Sequence, residues 1–234
     1  MLSALLIGNE SLTLNCGEGW LERGHAITAV VTRNADVRAW AEAKGLPLIA
    51  PGAGLAEALS GVSFDWLLSI ANLSVLPDSV LAGATRGAVN FHDGPLPRYA
   101  GLNAPVWALM QGEARHGITW HLIEGGVDEG RIIEQRLFDI APDDTAFTLN
   151  AKCYGAALDS FDAVMDQLER GLPGAVAQDL DARSYFARAD RPEAAAWLDF
   201  TKPASNLARL VRALDHGGYL NPLCMPRIML GDQV

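Results

Sequence analysis

The stretch Asn90–Pro105, NFHDGPLPRYAGLNAP, holds the residue types with the most chemistry to offer. Asn90 and His92 are two apart, and on an extended chain side chains two apart point the same way. A carboxamide and an imidazole would then face one pocket. A carboxamide N–H can meet negative charge developing on an oxygen. An imidazole can take or give a proton near neutral pH. Pro95, Pro97 and Gly101 follow and make a rigid, irregular loop that keeps backbone close to a ligand. The residues alone leave Asn90 and His92 evenly divided between a structural and a functional role. A second stretch, Glu124–Gly130, EGGVDEG, sets an acid between glycines. It reads either as a hairpin turn with solvated carboxylates or as a loop from which Asp128 reaches His92 and orients it.

Other chemistry finds less support. Gly8-Asn9-Glu10-Ser11 is not the GxGxxG dinucleotide fingerprint, and there is no phosphate-binding Walker loop. A GxSxG nucleophile elbow is also missing. His116 and His121 read as structural, Trp107, Trp120 and Trp197 as core residues, and Asp143 and Asp144 as helix caps. Cys16, Cys153 and Cys224 have no metal-ligand spacing, so no zinc site is expected and free thiols in a reducing cytoplasm fit best.

These residues need elements to position them. Leu2–Ile7, Ala26–Thr32, Phe64–Ile70 and Ala88–Phe91 read as strands. Helical stretches lie between them: Gly17–Gly24, and Val37–Lys44 with Gly45 as its stop. Strands separated by helices imply crossover connections and a largely parallel sheet. Asn90 then leaves the carboxyl end of a strand, where open parallel sheets bind ligands. His116–Ile123 and Arg131–Ile140 read as a hairpin with an enlarged loop, and Leu102–Met110 as a helix. Asp144–Arg170 is the clearest helix. Leu149, Cys153, Ala156, Ala157, Phe161, Val164 and Leu168 share one stripe, with Asp144 as cap and Gly171 as stop. A further helix is expected over Ala204–Leu214. Short strand-like pieces follow over Asn221–Val234, and residues beyond about 185 read as an appended piece that is cut short.

The chain has 234 residues, half of them hydrophobic, enough for one domain with a sizeable core and a small appendage. No run reaches the roughly 18–20 apolar residues that span a bilayer, and Met1–Gly8 is too short for a signal peptide. Twenty-eight acids against eighteen bases give a formal net charge of −10. Nucleic-acid binding relies on a basic face, and no Lys/Arg cluster longer than two residues occurs, so neither a polynucleotide nor a membrane is an expected partner.

NFHDGPLPRYAGLNAPVWAL resembles the central signature of 10-formyltetrahydrofolate-dependent formyltransferases: Asn-x-His, Leu-Pro, a Gly, then Ala-Pro. VDEG is similar to that family's Leu-Asp-Thr-Gly motif, and IAPDDTAFTLNAK to the passage after it. WLDFTKPASNLARLVRAL is similar to the opening of the family's C-terminal domain. The resemblance implies an α/β fold, a Rossmann-like, mostly parallel sheet flanked by helices, with residues 1–185 as catalytic domain and 186–234 as linker and partial C-terminal subdomain. It implies a catalytic trio of Asn90, His92 and Asp128. It also implies folate between Val75, Leu76 and Pro77 on one loop and Ile123, Glu124 and Gly125 on another, with 10-formyltetrahydrofolate as cosubstrate and no metal.

The family often has Ser-Leu-Leu-Pro after the His, where this chain has Asp93-Gly94-Pro95-Leu96-Pro97, and an Arg-Gly pair is replaced by Ala100-Gly101. In this form the segment resembles formyltransferase-like domains at the N-terminus of peptide-synthetase or polyketide assembly lines. The acceptor so implied is a small or carrier-tethered amine of natural-product biosynthesis, with downstream modules as partners. A sugar-nucleotide N-formyltransferase shares the trio but needs a nucleotide site, and no phosphate cradle is evident. A formyltetrahydrofolate hydrolase and a non-catalytic module of a larger protein are the remaining alternatives.

Overall fold

A computed structural model of the chain describes residues 1–229. Seven strands form one sheet in the order β3-β2-β1-β4-β5-β7-β8. They are β1 (Ser3–Ile7), β2 (Ala26–Val31), β3 (Leu48–Ile49), β4 (Phe64–Ser69), β5 (Ala84–His92), β7 (Arg115–Leu122) and β8 (Ile132–Asp139). β1 to β5 are mutually parallel. β7 runs antiparallel to β5, and β8 to β7. The mostly parallel sheet and the closing hairpin match the sequence expectation. A separate two-stranded pairing joins β6 (Ala100–Gly101) to β9 (Tyr185–Phe186), so β9 straddles the boundary expected at residue 185.

The helices are α1 (Ser11–Glu22), α2 (Ala35–Ala43), α3 (Leu55–Ala58), α4 (Asp78–Leu81), α5 (Ala104–Gln111), α6 (Ala146–Glu169) and α7 (Ala204–Ala213). Alternation along the strands divides the core in two. Ala4, Leu6, Trp66, Leu68, Val89 and Phe91 face α1 and α6, while Leu5, Ile7, Leu67 and Ala88 face α3 and α4. α1 begins six residues before the expected Gly17, because Leu12, Cys16 and Trp20, four apart, bury one stripe. β3, α3 and α4 were not expected; at two to four residues they are too short to show a period. Asp144 is not the cap of α6. Thr145 and Thr148 form a reciprocal capping box, and Asp144 instead accepts bonds from Ala141 N–H, Thr148 Oγ1 and Lys152 Nζ. Gly171 ends the helix with φ +77°. The last residues of the piece expected over Asn221–Val234 lie outside the described residues. Among the described residues, no helix is long and apolar enough to cross a membrane.

Candidate functional site

At the carboxyl ends of β1, β2, β4 and β5 lies a cavity of about 1140 Å³, lined by Asn90, His92 and Asp128 among others. Ligand pockets commonly measure about 300–1,000 Å³, so this one has room for two small molecules. A second hollow of about 490 Å³ sits at the amino ends of the strands, where Arg23 and His25 both pair with Glu169.

Asn90 comes from inside β5 and His92 is its last residue. The imidazole is 5% exposed. Its Nε2 lies 2.8 Å from the Tyr99 carbonyl. A carbonyl can only accept, so Nε2 carries the proton and Nδ1 is turned to the cavity. Asp128 Oδ2 is 3.6 Å from that Nδ1 and accepts the Gly101 N–H at 2.8 Å. Burial opposes charge on Asp128, yet His121, the His92 charge and the Gly101 N–H outweigh it and hold the carboxyl well below its usual range. Asp128 is therefore a fixed anion at the open side of the imidazole.

The structure also brings in His121, which the sequence suggested was structural. It stands directly across from Asn90 in the antiparallel β5–β7 register. Its Nδ1 donates to the Leu122 carbonyl. Its Nε2 is 3.2 Å from Asn90 Nδ2 and 3.3 Å from Asp128 Oδ1. A neutral ring accepts from Asn90, and a protonated ring donates to Asp128. Ser69 Oγ donates to Asn90 Oδ1 at 2.9 Å. The carboxamide is thus held from both ends, and its second N–H is left for the cavity. No sequence signal reveals this, since the pairing joins residues 31 apart through strand register. His116, by contrast, is wholly buried and donates to the Asp93 carbonyl.

Three non-glycine residues with left-handed backbone line this cavity: Ala71 at φ 51°, Asn103 at 60° and Asp128 at 56°. Such conformations concentrate at functional sites, where surrounding bonds enforce them. For Asp128 those bonds come from a distant segment. Gln178 donates to the Asp128 and Gly130 carbonyls at 2.9 and 2.6 Å, and Arg183 to the Val127 carbonyl. β9 pairs with β6 at Gly101, where a Cβ would stand 2.1 Å from the Phe186 carbonyl. At Gly130 a Cβ would stand 1.8 Å from the Leu122 carbonyl; only glycine lets the Asp128 loop close on β7.

Of the residues expected around folate, Val75, Leu76, Ile123 and Gly125 stand on the cavity wall. The Glu124 side chain does not; it pairs outward with Arg131 at 2.8 Å. Pro77 does not line the cavity; it is exposed and stands at the N-cap of α4. Val75 is 82% exposed, an apolar side chain that no protein group covers. Among the described residues, no group of three or more His, Cys, Asp or Glu is arranged to hold a metal.

A family model described as formyl transferase matches residues 52–161. A methionyl-tRNA formyltransferase of Roseobacter denitrificans is 32% identical over 232 residues, covering 90% of this chain and 73% of its own. The 4-N formyltransferase of Francisella tularensis superposes with a TM-score of 0.79 at 15% identity, covering 100% of this chain and 94% of its own. The Helicobacter canadensis N-formyltransferase, solved with folinic acid and dTDP-3-aminofucose, gives a TM-score of 0.73 at 19% identity, over 91% and 80%. At those identities the two solved structures establish a shared fold.

Proposed function

The chain belongs to the formyl transferase family, and on that premise we propose that it transfers the formyl group of 10-formyltetrahydrofolate to an amine, with Asn90, His92 and Asp128 as the reacting centre. One observation carries the reading: a buried imidazole with its tautomer set by Tyr99 opens Nδ1 between a fixed Asp128 carboxylate and the free N–H of Asn90. The cavity suits the donor. Leu73, Val75 and Leu76 on one loop face Ile123 and Val127 on another, an apolar slot for a flat ring system, with Pro77 and the Glu124 backbone shaping its two sides. When bound, the folate supplies an activated formyl carbon. Asn90 donates its free N–H to the oxygen that gains negative charge. His92 takes the proton of the attacking amine at Nδ1, and Asp128 stabilises the imidazolium so formed and helps return the proton to the leaving nitrogen.

For the acceptor, the best-supported class is an amino sugar carried on a nucleotide. The structural relatives named above are N-formyltransferases, one solved with dTDP-3-aminofucose. Arg33 and Arg188 stand exposed at the cavity rim with no carboxylate partner among the described residues, where phosphates would find them. A second reading, an aminoacyl or other amine tethered to a carrier with downstream modules, draws on the His92-Asp93-Gly94-Pro95 form of the loop. In that reading residues 186–234 are a linker and partial C-terminal subdomain. The Roseobacter relative is named for methionyl-tRNA, but a net charge of −10 opposes a polyanion at this surface.

The test is incubation with 10-formyltetrahydrofolate and a panel of nucleotide amino sugars and aminoacyl carriers, read as the mass gain of one formyl group. Asn90→Ala is expected to lower turnover about 10²–10³-fold, and His92→Ala and Asp128→Ala to abolish it, with circular dichroism unchanged. Near-normal activity in two of the three sinks the assignment. A chain that fails to bind 5-formyltetrahydrofolate by calorimetry is an inert module.

A further inference from the structure

We propose that the acceptor enters as an ammonium ion seated against Asp93, with Glu10 at the cavity mouth as its second anion, so that the enzyme selects a primary amine whose charged nitrogen is not flanked by phosphate or carboxylate. The proposal rests on the formyl-transfer reading and adds the residues that choose the acceptor.

The cavity wall differs from side to side. On the α4 side, assigned above to the donor, Leu73, Val75, Leu76 and Leu81 stand among Asn72, Ser74 and Asp78. On the α1 and α6 side it presents Glu10, Asp93, Asn150 and Tyr154. Asp93 follows His92 directly, and its Oδ1 is 3.9 Å from His92 Nδ1. Among the described residues, no other residue donates a hydrogen bond to the Asp93 side chain. Glu10 precedes α1 at the cap position, yet its side chain makes no capping bond and has no ion-pair partner among the described residues. The Tyr154 hydroxyl, raised by burial first, is raised further by the negative charges of Glu10 and Asp93. His92 is the independent pointer to a ligand here. It is 5% exposed, and its Nδ1 reaches the cavity without a hydrogen bond to any described residue.

A buried anion without an ion-pair partner is costly unless a cation joins it. Burial accordingly raises Asp93, and partial burial raises Glu10. A primary amine arrives protonated at neutral pH, with three N–H donors for the carboxylates of Asp93 and Glu10. One proton then passes to Asp93 and on to solvent, which leaves a neutral nitrogen with its lone pair beside His92. Where the family often carries Ser, this chain carries Asp93; a hydroxyl would bind an amine without selecting for its charge.

Glu10→Gln and Asp93→Asn, each close to isosteric, test this with dTDP-3-aminofucose, a dTDP-4-amino sugar and an aminoacyl-pantetheine as acceptors. For whichever amine wild type formylates, KM for that amine is expected to rise about 10–100-fold in each variant, the loss of a charge-assisted bond. The Kd for 5-formyltetrahydrofolate should stay the same. An unchanged acceptor KM in both variants overturns the proposal. So does a wild-type chain that binds 5-formyltetrahydrofolate and formylates none of the three. Wild type that does not bind 5-formyltetrahydrofolate overturns the functional reading itself, and this proposal with it.

Discussion

His121 shows how much one side chain can settle at the residue scale. Its Nε2 touches both Asn90 and Asp128, so it links the hydrogen-bond donor of the site to its anion. Take it away and Asn90 keeps only the Ser69 bond at its oxygen, and the carboxamide is free to turn. His121→Leu is expected to lower kcat about 10–100-fold, the usual cost of losing a partner that orients a reacting group. Affinity for 5-formyltetrahydrofolate should hold, since His121 lies on the cavity wall but spends both ring nitrogens on Leu122, Asn90 and Asp128. Steady-state kinetics beside calorimetry separates the two, and unchanged kcat rejects the role. The trio itself was legible because Asn-x-His and Val-Asp-x-Gly are local patterns. His121 was not, because what matters is its register against Asn90, and register is a property of two strands. Glu124 shows a related limit of local pattern: adjacent to the right loop in sequence, its side chain turns out to Arg131.

At the scale of elements, the site depends on a segment that carries none of the trio. Residues 178–186 run across the Asp128 loop and pair with β6. Gly101 is the joint, giving its N–H to Asp128 and lying against the Phe186 carbonyl at φ +95°. A side chain there must displace β9. Gly101→Ala is therefore expected to lower both the melting temperature and kcat, with a stability loss of about 1–3 kcal/mol from the left-handed backbone and the broken pairing. Gln178→Ala removes two bonds to loop carbonyls. It should lower kcat while costing only about 1 kcal/mol or so per bond, measured by urea unfolding. If Gln178→Ala keeps full turnover, the brace does not position Asp128.

Across the whole molecule, the buried His116 gives folding a pH dependence distinct from that of the site. Burial pulls this histidine down from its usual 6.5 to about 4, against the opposing bond to the Asp93 carbonyl. The unfolded chain takes up the proton near pH 6.5, and the folded chain refuses it until about pH 4. Stability should thus be full above pH 6.5, fall as pH drops from 6.5 to 4, and level off below, a change of roughly 3 kcal/mol. Asp128 acts in a lower window: its ionised form stabilises the fold above the usual carboxylate range, and that contribution is lost only as pH falls below it. Urea midpoints between pH 7 and 4 check the first window, and His116→Asn should flatten it; equal slopes in both proteins reject the assignment. The sequence by itself determined the sheet's parallel core, the closing hairpin and the long α6, and brought Asn90, His92 and Asp128 forward as candidates, because each is written in apolar period or in a short local motif. Tertiary structure decided the rest. It set His121 across from Asn90, folded residues 178–186 back onto the Asp128 loop, and left Asp93 and Glu10 facing one cavity with no Lys or Arg paired to either among the described residues. These relations join residues far apart in the chain, and they exist only once two strands share a register and two loops share a wall.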